Sequence, residues 1–155
     1  AKVKNYDEAY APWMSVRNEC PSLNVAIFSY GERIIKDRIK KASPETVGVE
    51  TADLIKLYDE WLENFPTKRN VSVRGEIISS KAQAMLDYKI ADKMEVYKTF
   101  DLAYQTDANS FTNPNKTKSN IRIIKKEYKY FLVLDRNIFY YMLPKVSHKF
   151  HPSLY

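Results

Sequence analysis

Glycine is nearly missing from this chain: three in 155 residues, Gly31, Gly48 and Gly75, each far from the next. Loops that cradle phosphates through closely spaced glycines have nothing to be built from. Neither a P-loop nor a dinucleotide-binding fingerprint can be written here. Cysteine occurs once, as Cys20. That excludes an intramolecular disulfide and a cysteine-based zinc site. A lone cysteine fits a reducing compartment, and Cys20 reads as a small buried hydrophobe. Histidine occurs twice, as His148 and His151. The i, i+3 pair lies in a proline-containing tail with no third ligand nearby, so it reads as tail packing or solvated surface. No apolar run approaches the ~18 residues that a membrane span requires. The N-terminus is polar and lacks the apolar core of a secretory leader. Its initial alanine reads as the mark of a removed initiator methionine. No serine stands in a nucleophile-elbow context.

What is present is an ordinary globular composition, 45% hydrophobic and 28% charged, with twelve tyrosines. A chain of this length can bury a core without disulfides or metals and fits one domain. Its net charge of +6 is unevenly spread. Residues 42–65 carry six acids against Lys56, a net of −5. Residues 110–155 carry nine bases against Glu127 and Asp135, a net of +7, and residues 17–41 a net of +3. Such asymmetry suggests faces of opposite potential.

Punctuation by Pro12 and Pro21 suggests an arm or short helix over residues 1–21. Residues 22–41 read as a helix capped by Ser22, with Leu23, Ala26, Ile27, Tyr30 and Ile34 on one stripe and Gly31 interrupting it. Residues 51–65 form the clearest element. Leu54, Ile55, Tyr58, Trp61, Leu62 and Phe65 keep helical spacing until Pro66 stops them. The acids on its other face read as solvated. Residues 71–78 alternate as a strand, with Gly75 marking a bulge or a close backbone approach. A helix is expected over about 80–91, opened by a Ser80–Gln83 capping box. Residues 94–105 alternate again and read as a strand. Residues 106–119 read as a long polar loop. Residues 120–143 read as β-structure with a turn at Asp135-Arg136-Asn137.

The expected fold is therefore α+β: three helices, mainly in the N-terminal half, packed on an antiparallel sheet of four to five strands from the C-terminal half. It is expected as one domain, 1–155, with an arm (1–21), a helical part (22–70), a β-rich part (71–143) and a basic tail (144–155).

The pattern that carries most function is bases interleaved with aromatics near the C-terminus. A sheet bearing Lys116, Lys118, Arg122, Lys125, Lys126 and Lys129 would track phosphates, and Tyr128, Tyr130 or Tyr140 would stack on bases. The expectation is a non-enzymatic nucleic-acid-associated binding protein, DNA or RNA, without cofactor or metal. The same tyrosines also suit a half-buried sheet. The alternative is a structural subunit of a larger assembly such as a viral particle, with other protein subunits as partners. A third reading is a metal-dependent nuclease, resting on Glu127-Tyr128-Lys129 with strand-borne Asp101 or Glu95 as the partner acid. An intracellular location, or incorporation in a virion, follows from these readings, and no membrane partner is expected.

Overall fold

The computed structural model describes residues 5–107. They form five helices and one minimal hairpin, in the order α1 (Tyr6–Glu19), α2 (Ala26–Lys41), α3 (Val47–Asn64), β1 (Thr67–Lys68), β2 (Val71–Ser72), α4 (Arg74–Asp87) and α5 (Lys93–Thr106). The α+β expectation of three helices on a four- to five-stranded sheet is thus overturned for these residues. They are mostly helical, and their only sheet is the two-stranded antiparallel β1–β2 pair. The β-structure expected at 120–143 and the tail lie outside the described residues.

Each helix packs on its neighbours in sequence: α1 on α2, α2 on α3, α3 on α4 and α4 on α5. Of the arm or short helix expected over 1–21, Tyr6–Glu19 form the regular helix α1. Asn5 caps it, its side-chain oxygen accepting from the Glu8 amide at 3.4 Å, and Asp7 and Glu8 complement the dipole. Pro12 falls inside this helix without ending it. Helix α2 starts at Ala26, later than expected. The Asn24 side chain, and not Ser22, accepts from the Ala26 amide at 2.8 Å, which leaves Leu23 outside the helix and 72% exposed. Helix α3 begins at Val47, about a turn before the expected start at residue 51. Thr51 is buried one turn in, its hydroxyl donating to the Gly48 carbonyl.

The two expected strands flanking residues 80–91 are mostly helix. Only Val71 and Ser72 of the 71–78 segment pair as strand, and α4 begins at Arg74. Gly75, Ile78, Ser79, Ala82 and Met85 are all buried. They fall at helical spacing, so Gly75 is a core-facing helix residue and not a bulge. Ser80 and Gln83 lie within α4, where Ser80 donates back to the Glu76 carbonyl and Gln83 to Asp87. Residues 93–106 are helix α5. Asp92 opens it by accepting from the Glu95 amide at 2.8 Å. Val96, Phe100 and Ala103 make its buried stripe.

The core lies where α1 to α4 meet. Phe28, Ile35, Leu54, Leu57 and Tyr58 are fully buried, with Trp13 and Ile77 joining them. Each such side chain contributes about 1.5–3 kcal/mol of burial. Phe28 stacks on Trp61 at 6.0 Å and meets Phe65 edge-on at 5.8 Å, which fixes the C-terminal end of α3.

Candidate nucleic-acid interface

None of the expected nucleic-acid residues, Lys116, Lys118, Arg122, Lys125, Lys126, Lys129, Tyr128, Tyr130 and Tyr140, lies among the described residues. The same holds for His148, His151 and Glu127. Asp101 and Glu95, the strand-borne partner acids of the nuclease reading, instead lie on helix α5. Among the described residues no cluster of three or more His, Cys, Asp or Glu is placed to hold a metal. Cys20 is exposed at the end of α1, contrary to the expectation of burial.

Most acids of α3 hold cations of the same unit. Arg17 is 4% exposed and joins α1 to α3. Its Nη1 donates to both oxygens of Asp53 at 2.9 and 3.0 Å, and its Nε donates to Glu60 at 2.7 Å. Its guanidinium also lies 5.3 Å from the centroid of the Trp13 ring. Arg38 forks onto Glu50 and lies 3.8 Å from the Tyr10 ring centroid. The Glu50 hydrogen bonds raise the Arg38 pKa above its ordinary value. Lys41 bridges Asp37 and Asp7, which raise its pKa as well. Lys81 reaches Asp59 at 2.5 Å. The acidic stretch that reads in sequence as a solvated face is therefore largely spent on tying α1, α2 and α4 to α3.

One buried polar pair crosses from α2 to α3. The Tyr58 hydroxyl donates to Glu32 at 2.9 Å, and Lys36 donates to the same oxygen at 2.6 Å. Burial, with the Glu32 charge second, pushes the Tyr58 hydroxyl far above its ordinary range. The Glu32 carboxylate thus satisfies a hydroxyl that the core buries.

Two surface features remain. The first is the β1–β2 hairpin. Thr67, Lys68, Arg69, Asn70 and Val71 are all exposed, and so is Arg74 at the start of α4. Residues 67–74 hold three cations and no acid. None of these cations enters an ion pair among the described residues. The second is an open groove of about 340 Å³ between α3, α4 and α5. Ile55, Leu62, Ile78, Met85 and Leu102 supply its apolar lining, and Asp59, Lys81 and Glu95 are its charged members. Leu102 is 54% exposed there.

The described residues thus form a small helical unit that carries a cationic hairpin and an open, largely apolar groove. No helix among the described residues is long and apolar enough to cross a membrane. Compared with known families, curated proteins and solved structures, the chain shows no significant match.

Proposed function

We propose that this chain is a non-enzymatic nucleic-acid-associated binding protein. The observation that carries the reading is the division of charge along the sequence. Residues 5–107 hold fourteen Lys and Arg against seventeen Asp and Glu, whereas residues 110–155 hold nine against two. The basic excess is thus concentrated in one stretch, where Lys116, Lys118, Arg122, Lys125, Lys126 and Lys129 alternate with Tyr128 and Tyr130, and Tyr140 follows. Cations that neutralise phosphates release condensed counterions, and aromatics add stacking that tolerates any base. The ion pairs of the helical unit support the reading from the other side, because they absorb many of its own cations.

The test is binding of the full chain to labelled single-stranded DNA, duplex DNA and RNA across a salt series. The expected result is a log K that falls steeply with log salt. The Lys125→Gln/Lys126→Gln variant should lose affinity uniformly across sequences, with a slope shallower by about 0.9 per contact. Absence of binding at low salt overturns the proposal.

A second reading, a subunit of a larger assembly, is favoured by the α3–α4–α5 groove. Its occupant would be a second copy of this chain, whose +7 stretch complements Glu95 of the lining, Asp59 being already paired with Lys81. Light scattering at micromolar concentration tests the self-assembly: self-association that Leu102→Glu abolishes supports it, and a strict monomer counts against it, though not against a complex with other subunits.

A further inference from the structure

We infer that the β1–β2 hairpin, with Arg74 at its root, is a second phosphate-contacting element that grips the sugar–phosphate backbone of a nucleic acid through Lys68, Arg69 and Arg74. The inference rests on the proposed function and adds a site in the helical unit.

Three independent observations carry it. First, the hairpin contributes nothing to the core. Neither strand buries a side chain, and Val71 at its end is 66% exposed. The hairpin residues Thr67 to Val71 are exposed and Ser72 is half-buried. Second, its chemistry is one-signed. Six other cations of the unit, Arg17, Lys36, Arg38, Lys41, Lys56 and Lys81, are held by carboxylates. The hairpin's cations are grouped within seven positions of sequence and have no acid among them. Third, the turn places a cation where the backbone disfavours one. Arg69 and Asn70 are its two central residues, with φ of 51° and 62°. A two-residue turn with both φ positive is the preferred hairpin closure for right-twisted strands, and Asn, Asp and Gly suit it. Asn70 conforms, whereas Arg69 holds its guanidinium at the tip at the expense of strain.

The arm is also rooted firmly at both ends. The Val73 amide donates to the Pro66 carbonyl at 3.0 Å and closes the ladder at its base. On one side Phe65 packs on Phe28, and on the other Gly75 and Ile77 are buried in the first turn of α4. Cations held on a rooted arm lose less freedom on binding than cations on a free tail. Backbone contacts of this type position a protein on nucleic acid and carry no sequence information.

The experiment compares the wild-type chain with Lys68→Gln/Arg69→Gln/Arg74→Gln and with Lys68→Arg/Arg69→Lys/Arg74→Lys. The probes are a labelled 20-base-pair DNA duplex, one of its single strands, and the RNA of the same sequence. Far-ultraviolet circular dichroism confirms that helix content is unchanged. The neutral triple variant is expected to bind about tenfold or more weakly, with a salt slope shallower by about 3, while the charge-preserving variant retains wild-type affinity and slope. The probe most affected names the form of backbone gripped. Arg69→Gly separates structure from binding: it should raise Tm by relieving strain and still weaken the complex. Wild-type binding that the neutral triple variant leaves unchanged overturns the inference and spares the proposed function. A wild-type chain that binds none of the probes overturns both.

Discussion

The indole of Trp13 occupies the space that a side chain at Gly31 would need. A Cβ built on Gly31 would overlap the six-membered ring of Trp13, and the indole N–H donates to the Ile27 carbonyl at 2.8 Å, which fixes the ring in place. Gly31 is thus the contact point of α1 and α2, although a mid-helix glycine is disfavoured by ~1 kcal/mol relative to alanine. Gly31→Ala should destabilise the fold by about 1–2 kcal/mol net, overpacking outweighing the gain in helix propensity. Chemical denaturation of the two proteins measures it. An alanine variant as stable as wild type would show that the helices separate without cost.

Arg17 is the second tie between α1 and the rest. With Asp53 left without its cation and Glu60 left only the looser Lys56 contact at 3.8 Å, Arg17→Ala should cost about 3 kcal/mol, the lower end of the range because both carboxylates keep some contact with water. Arg17→Lys should recover only part of this, since an ammonium cannot serve both carboxylates through a planar fork. A double-mutant cycle with Asp53→Asn isolates the pair. Additive losses would remove the coupling.

The Tyr58 hydroxyl predicts how stability responds to alkali. In the unfolded chain this group ionises near its ordinary value of 10.0, whereas in the fold burial and Glu32 hold the proton on well beyond that pH. The stabilisation is complete below pH 10 and is lost as pH rises above it, by up to about 1.4 kcal/mol per pH unit. Tyr58→Phe should be less stable at pH 7 by about 1 kcal/mol, through the lost hydrogen bond, and less sensitive to pH above 10. Thermal melts from pH 8 to 11 give both quantities. Parallel pH dependences of the two proteins would refute the assignment.

Lys89 ends α4 in the left-handed region, with φ of 53°. The Ile90 amide donates to the Met85 carbonyl at 3.0 Å and the Lys89 amide to the Leu86 carbonyl at 3.3 Å, the paired bonds of a Schellman ending. Glycine is the residue without a Cβ penalty at that position. Lys89→Gly should therefore stabilise the protein by about 0.5–1 kcal/mol, readable as a higher midpoint in urea. A lower midpoint would mean that the Lys89 side chain contributes more than its backbone strain costs.

The sequence is legible where large apolar residues keep one period between clear stops. In α3, Leu54 and Tyr58 are buried and Ile55, Trp61, Leu62 and Phe65 are half-buried, as the spacing predicts, and the helix ends before Pro66. It misleads where the buried stripe is made of small residues. In α4, Gly75 and Ser79 face the core, but neither registers as apolar, so the nearby alternation of Val71, Val73 and Ile77 suggests a strand. In α5 the alternating Met94 and Leu102 are exposed, and the buried residues are Val96, Phe100 and Ala103. The signal that could have found this helix was Asp92 followed three residues later by Glu95.

Composition alone settles which chemistries have no material here, because a glycine-rich phosphate loop or a disulfide needs residues that the chain does not contain. Periodicity locates the body of α3 and of α2, where the apolar stripes are wide, but it misses the first turn of α3 at Val47 and wrongly counts the exposed Tyr30 into the α2 stripe. Only tertiary structure decides what the charges do. Asp53, Glu60, Glu50 and Asp59 are identical in kind to solvated surface acids, and they become internal ties because Arg17, Arg38 and Lys81 arrive from other helices. Lys68, Arg69 and Arg74 are exposed and enter no ion pair among the described residues. Pairing of charges across elements depends on distances between segments far apart in sequence, and a linear pattern does not encode those distances.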